Sequence, residues 1–311
     1  MSTRKVLRDI VDALIGSSDF ALHPSALTST AYPLDLDFTL VKEPIYYTPK
    51  DAAGLPVRLY KSVGVQYNPT RIAAYGLAHY NRYITAGGKH HRDTFLRVSD
   101  WFMTKTDGLW WYDFDWGELR APWLSCMAQG EGISVLVRAY FLTGDDTYLA
   151  QAVRAARPLA TPIEEGGVKS FIDGKHPFLE EYPLDKPRHT LNGFLYALVG
   201  LLDLTAVDAR YAVSTHLDAF VSTLETQWYR WDLDGWSAYD LHGADGGLRN
   251  PATVGYHRLH VTLTSYIAEK RSSESLRECA RRWHAGYRSR RLRLGAALGK
   301  IRYRMRYKPQ R

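Results

Sequence analysis

From residue 70 onward the chain reads as helices that come in pairs, and this pairing restricts it to few folds. Apolar residues recur at helical spacing over 70–86 (Ile72, Ala73, Leu77, Tyr80), a run that Gly87-Gly88 ends, and over 92–105 (Phe95, Val98, Phe102). A third run, 125–143, stops at Gly144. A fourth opens at Asp145-Asp146, a pair suited to N-capping, and ends before Pro158. The fifth and sixth cover 190–205 (Leu191, Leu195, Leu198, Leu202) and 208–228 (Leu217, Phe220, Leu224, Trp228). The seventh covers about 257–269, and the eighth opens at Ser272 or Ser273 and carries Leu276, Trp283 and Tyr287. Within a pair the connection is short: 87–91, near 144, near 207, and 270–271. Between pairs it is long: 107–124, 158–189 and 229–256. With antiparallel packing all the long connections fall at one end. The expected fold is mainly α, an incomplete (α/α)4 toroid of four hairpins with one elaborated rim, where chemistry concentrates.

Three segments follow: an N-terminal arm over 1–66, a toroid over 67–287 and a basic tail over 288–311. The arm holds turn signals and short β-like runs, Phe38–Val41 and Val57–Tyr60. No apolar run is long enough for a membrane span, and Asp9 and Asp12 interrupt the first apolar stretch, so the chain carries a poor secretory signal. A cytoplasmic location is expected, with peripheral membrane association through the tail as an option. Cys126 and Cys279 are too few for a disulfide framework and read as reduced thiols. The net charge is +7, yet 12 of the 40 Lys and Arg lie in 281–311, where there is no acid. The remaining 280 residues carry 28 basic and 33 acidic side chains, so no nucleic-acid-binding field covers the body. The alternating basic and apolar residues of 301–308 suit either an extended arm contacting glycan or membrane, or a solvated tail.

The long connections hold the unusual residues. Loop 107–124 places Asp113, Asp115 and Glu118 among Trp110, Trp111, Tyr112 and Trp116; 158–189 contains Glu180-Glu181-Tyr182; 229–256 contains Tyr239-Asp240-Leu241-His242 and ends in Tyr256. Aromatic faces beside carboxylates suit a sugar ring, and equally suit turns held by Asp capping. His257 and His260 have the spacing of a metal pair but no evident third ligand, and no metal is assigned. Gly130-Glu131-Gly132 reads as a close-packing site, and no phosphate-binding glycine loop or nucleophile elbow occurs, so no cofactor is expected.

Several runs resemble the D-glucuronyl C5-epimerase family. Met127 to Ser134 continuing into Leu136-Val137-Arg138-Ala139-Tyr140 is similar to that family's MAQGQAIS-LVRAY helix. Glu180-Glu181-Tyr182-Pro183, Leu191 to Tyr196 and Gly200 to Leu204 resemble its EEYP, LNGF-Y and GL-DL elements. Tyr239-Asp240-Leu241 and Tyr256-His257-x-x-His260 resemble its YDL and YH-xx-H elements, and residues 70–80 and Arg282-Trp283 also fit. The animal enzymes carry a β-rich insertion after the first helix that this chain lacks, as in a compact bacterial form. The resemblance implies an isomerase that converts D-glucuronate to L-iduronate in a heparosan-type polysaccharide, without a cofactor, commonly as a homodimer.

It implies catalytic roles for Glu181, Tyr239 and Tyr256, and substrate contacts for Tyr182, Asn192, Tyr196, Gln129 and Asn250. Tyr67 and Trp116 join these as flat faces for a sugar. The family places an Arg two residues after the Asp of YDL, where it holds the uronate carboxylate. Here His242 stands there, so a protonated His242, Arg249 or Arg258 would take over. The chemistry explains the set. Removing the C5 hydrogen puts a second charge into an anionic group, which demands donors or a cation, and inversion demands a proton-transfer group on each face of the ring. Glu181 and Tyr256 are the expected opposing pair, with Tyr239 as relay. The alternatives are a uronate lyase, a hydrolase using Asp113 or Asp115 with Glu181, and a non-catalytic polyanionic-glycan-binding module.

Overall fold

The computed structural model describes residues 3–16 and 18–307. The N-terminal segment is more regular than the sequence suggests. It contains α1 (Thr3–Ile15), β1 (Ala21–Leu22) paired with β2 (Leu34–Asp35), α2 (Asp37–Val41), α3 (Glu43–Tyr47), and the hairpin β3 (Val57–Tyr60)–β4 (Gly64–Tyr67). The expected strand at Val57–Tyr60 is present, whereas Phe38–Val41 belongs to a helix. Thr39 explains the second: its hydroxyl donates to the Leu36 carbonyl at 2.6 Å and so closes a helical turn that propensity alone disfavours.

The paired helices follow: α4 (Pro69–Ala86) with α5 (Lys89–Met103), and α6 (Cys126–Thr143) with α7 (Asp146–Ala155). After a single turn, α8 (Arg157–Ala160), and the hairpin β5 (Lys169–Ile172)–β6 (His176–Leu179) come α9 (Leu191–Val207), α10 (Tyr211–Ser214) and α11 (Leu217–Gln227). The last pair is α12 (Val254–Lys270) and α13 (Glu274–Arg288). The expected single helix over 208–228 is broken, because His216 takes φ +56, a left-handed conformation no helix interior accepts. Asn68, Asp145, Thr253 and Ser273 cap their helices with side-chain oxygens, which fixes each start within a residue or so.

Helices α4, α6, α9 and α12 pack side by side in chain order, and α5, α7, α11 and α13 lie outside them. The fold is thus mainly α, an open α/α toroid. The tightest seam is α6 against α9. A Cβ at Gly130 would lie 2.5 Å from the Ala197 Cα, and one at Gly200 would lie 2.3 Å from the Gly130 carbonyl oxygen, so both positions require glycine. The same seam is tied by Arg138, buried against Asp203 at 3.1 Å and donating to the Ala31 carbonyl of the N-terminal segment. That segment spans from α12 to α4: Phe20 O accepts from Arg258, and the Tyr32 amide donates to Asn81.

The basic tail is a helix, α14 (Arg290–Arg306), capped by Ser289; residues 308–311 lie outside the described residues. It is neither an extended arm nor a solvated strand of charge. Ala296, Ala297, Lys300 and Tyr303 recur at helical spacing and are buried, the two alanines packing with Ala13 of α1, Trp236 and Val254. Its arginines mostly face outward, and Arg304 pairs with Asp9. No described helix is long and apolar enough to cross a membrane. Cys126 and Cys279 are buried and unbridged.

Candidate active site

The three long connections meet the N-terminal ends of α4 and α12 at one end of the toroid. They enclose a cleft of about 630 Å³ counted to its open mouth. Trp116, Trp123 and Phe114 from the first loop line it, with Glu181, Tyr182, Asn192 and Tyr256, and with Asn68 and Thr70 from the start of α4. Aromatic faces and convergent polar groups in a concave site are the general form of a ligand-binding pocket.

Glu181 is placed by helix α9. A Cβ on Gly193 would sit 2.5 Å from the Glu181 Cβ, so glycine in the first turn of α9 is what lets the carboxylate rest on the helix end. There it accepts from Asn192 Nδ2 at 2.8 Å and from the Gly193 N–H. Burial raises its pKa from 4.5 to about 7; hydrogen bonds from Tyr182, Asn192 and Gly193 oppose the rise. The carboxyl is therefore poised between its two protonation states near neutral pH. The adjacent Glu180 points elsewhere. It is fully buried and accepts from Ser170 Oγ at 2.6 Å and the His189 amide at 3.2 Å, with His189 Nδ1 at 2.7 Å. One glutamate of the pair holds the loop, and the other faces the cleft.

From Glu181 a chain of tyrosines runs along the site. Tyr182 donates to Glu181 and Tyr239 donates to Tyr182. The Tyr239 ring meets the Tyr256 ring edge-on, centroids 5.1 Å apart. Withdrawal from water, reinforced by the Glu181 charge, holds the Tyr182 and Tyr239 hydroxyls well above their ordinary pKa, so both stay protonated donors. Glu131 of α6 lies beneath the same region, 2% exposed, with Oε2 making no hydrogen bond. Burial, then the Glu181 charge, raises its pKa strongly. As a neutral acid it is a near-isostere of the Gln at this position in the MAQGQAIS pattern.

Helix α14 supplies a residue the sequence does not reveal as functional. Lys300 is 8% exposed, donates to Asn250 Oδ1 at 2.6 Å, and lies 4.9 Å from the centroid of the Tyr239 ring. Asn250 in turn donates to Asp240 at 2.8 Å. Asp240 carries a raised pKa because it is buried, an effect that Asn250 and then Lys300 counteract. The hydroxyl of Tyr303, one turn further on, is hydrogen-bonded with Nδ1 of His242 at 2.7 Å. The helical spacing of Ala296, Ala297, Lys300 and Tyr303 is the one sequence signal that could have found this helix.

The expected site residues divide into three groups. Glu181, Tyr182, Asn192, Trp116 and Tyr256 line one cleft, with Tyr239 bonded behind them and Tyr196 buried near Glu131 and Glu181. Asn250 and His242 form a layer between Asp240 and α14. The remainder are turned away. Gln129 spends its side chain on Trp110 N, Gly108 O and Ala155 O, which ties loop 107–110 to α6 and α7. Arg258 bonds Phe20 O and lies over Tyr287, Arg249 donates to Arg230 O, and Tyr67 donates to Asp51 at 2.7 Å. Burial and then Arg188 lower the His242 pKa, which favours its neutral form. Asp115 accepts from the Ala121 amide at 2.9 Å and pairs with exposed Arg120, the turn-capping reading. His257 uses both ring nitrogens on Ser237 and the Trp283 carbonyl, and so pins the Tyr239 loop to α12.

Residues 104–285 match the D-glucuronyl C5-epimerase C-terminus family, and the chain belongs to that family. The D-glucuronyl C5-epimerase of Caenorhabditis elegans is 33% identical over 221 residues, which cover 64% of this chain and 36% of the worm protein. An uncharacterised protein of Methanocaldococcus jannaschii is 25% identical over 184 residues, 56% of each chain. The chain thus spans roughly a third to just over half of the length of these relatives. Among solved structures, a glycoside hydrolase family 76 mannosidase of Bacteroides thetaiotaomicron superposes with a TM-score of 0.49 at 12% identity, over 87% of this chain and 78% of that one.

Proposed function

We propose that the protein is a uronate C5-epimerase acting on a polysaccharide, converting D-glucuronate to L-iduronate residues in a heparosan-type glycan. The observation that carries this reading is Glu181: a carboxyl with a pKa near 7, hydrogen-bonded into a chain of tyrosines, in an aromatic cleft with Tyr256. A base whose pKa lies near the working pH combines the correct protonation state with driving force for proton transfer.

In one direction of the reaction the Glu181 carboxylate takes the C5 proton from one face of the ring, and the Tyr256 hydroxyl returns a proton to the other face. Glu181 then holds a proton and Tyr256 lacks one. The hydrogen bonds linking Glu181, Tyr182 and Tyr239 lead the proton toward Tyr256, whose ring meets that of Tyr239, and exchange with solvent water completes the return and restores the starting state. The intermediate bears extra charge on the uronate carboxylate. Donors at Asn68, Thr70, Ser125 and Asn192 line the cleft to receive it, and Lys300 adds a fixed positive charge behind Tyr239. A cation in a water-poor setting stabilises developing anion without reorganising. Lys300 thereby offers its charge from behind Tyr239, where the family pattern instead places an Arg on the carboxylate itself.

The test is incubation with heparosan or N-sulfoheparosan in D2O, followed by NMR. The reading expects deuterium at C5 and iduronate signals, and it falls if neither develops. Ultraviolet-absorbing unsaturated ends would reassign the chemistry to a lyase, and new saturated reducing ends would reassign it to a hydrolase.

A further inference from the structure

At the opposite rim, the turn Gly87-Gly88 folds α5 back along α4. Both glycines take positive φ, +75 and +99, which permits so tight a reversal. The fold-back brings three histidines together: His79 of α4, and His90 and His91 in the first turn of α5. One ring nitrogen of each lies within 4.8 Å of the other two. His79 Nδ1 and His91 Nδ1 are 2.8 Å apart, and the three ring centroids lie 5.0–5.5 Å from one another. His79 is 2% exposed and its Nε2 has no hydrogen-bond partner, which is costly for a buried polar group. Nothing in the uronate chemistry uses these residues. Eleven residues of α4 separate His79 from Asn68 at the cleft, on the order of 16 Å at the helical rise.

The geometry points to a binding site for a divalent first-row transition metal of the Zn2+ type, with His79, His90 and His91 as ligands. Three imidazoles and no free carboxylate favour Zn2+, Co2+, Ni2+ or Cu2+ over Ca2+ and Mg2+, which want oxygen. Acids of the neighbouring segments are paired with cations: Asp37 with Arg82, Glu43 with Lys50 and Asp93 with Arg92. Pairing with the carboxylates weakens, without removing, the positive charge that Lys50 and Arg82 direct at His79. Tetrahedral ligation with metal–nitrogen bonds of about 2.0–2.1 Å places the nitrogens about 3.3 Å apart. The 2.8 Å contact therefore opens slightly and the third nitrogen closes in. The movement falls to His90, which is exposed, and His91, which is half-buried, while His79 stays fixed in the core. Because His90 lies at the surface, the fourth coordination position opens to solvent. The metal clamps α4 to α5 across their shortest connection.

The experiment uses the whole chain, stripped with chelator, and Zn2+ alone as the probe, read by calorimetry and by thermal unfolding, with Mg2+ as control. The expected result is one Zn2+ per chain, a melting temperature that rises with Zn2+ concentration as ligand linkage requires, and visible ligand-field bands on substitution with Co2+. His90→Gln and His91→Gln should each weaken binding by about tenfold or more. His90 is at the surface, so His90→Gln without metal should melt with the wild type, whereas His91→Gln removes a contact to His79 and is judged against its own metal-free form. Absence of a Zn2+-dependent heat and melting shift, or undiminished binding in the double variant, overturns the proposal.

Discussion

The two rims of the toroid are built on the same helices and differ in what joins them. At one rim α4 passes to α5 through Gly87-Gly88, and α6 to α7 through Gly144 in a left-handed cap. At the other, the 107–124, 158–189 and 229–256 connections assemble an aromatic cleft around Glu181 and Tyr256. The helical body stays the same from one rim to the other. Loop length therefore decides where a cleft can be housed, and the short rim has room only for side chains carried by the helices themselves.

The body that serves both rims gives the largest expected effect. Arg138→Ala leaves Asp203 charged and buried in the α6–α9 seam. A loss of about 3–5 kcal/mol is expected in urea unfolding, enough to impair both rims together. Glu181→Gln should instead separate them, with C5 exchange falling by over about 100-fold in a protein that still folds. Near-wild-type exchange would remove Glu181 from the mechanism.

The same substitution carries a pH signature. The folded protein raises the Glu181 pKa from 4.5 to about 7, so the fold favours the neutral carboxyl. The buried group costs nothing below pH 4 and costs progressively more as the pH climbs through 7, up to about 3 kcal/mol. Glu181→Gln should therefore match the wild type in urea midpoint at pH 4 and exceed it at pH 8. Wild-type kcat/KM in the direction that uses the carboxylate should rise through about pH 7.

A smaller effect tests the terminal helix. Lys300→Met should lower kcat by about tenfold with little change in KM, as expected for charge stabilisation lost from behind the first layer of contacts, and Lys300→Arg should recover part of it. Equal kcat in Lys300→Met would confine α14 to a structural role. The smallest effect belongs to the short rim: the His90→Gln and His91→Gln double variant should turn over substrate at the wild-type rate. A change there would mean that the two rims communicate.

Much of the scaffold is legible in the chain. Apolar spacing of 3.6, caps at Asp145 and Ser273 and stops at Gly87 and Gly144 are local, and local signals survive in sequence. Glu181 and Tyr256 are recognisable because motif and loop length agree. Lys300 and the histidine cluster are not, for opposite reasons. Lys300 is masked by eleven other basic residues in 281–311. The histidines are eleven and twelve positions apart, and only a glycine turn makes them neighbours.

The amino-acid sequence by itself determined most helices of the toroid, their pairing and the end at which the long loops gather, because each depends on residues close together in the chain. Only the tertiary structure decided which charges face inward. It turned Arg249 and Arg258 away, lowered the pKa of His242 and brought Lys300 from the terminal helix to Tyr239. A buried charge is tolerated only where partners from distant segments converge on it, and no local pattern records that convergence.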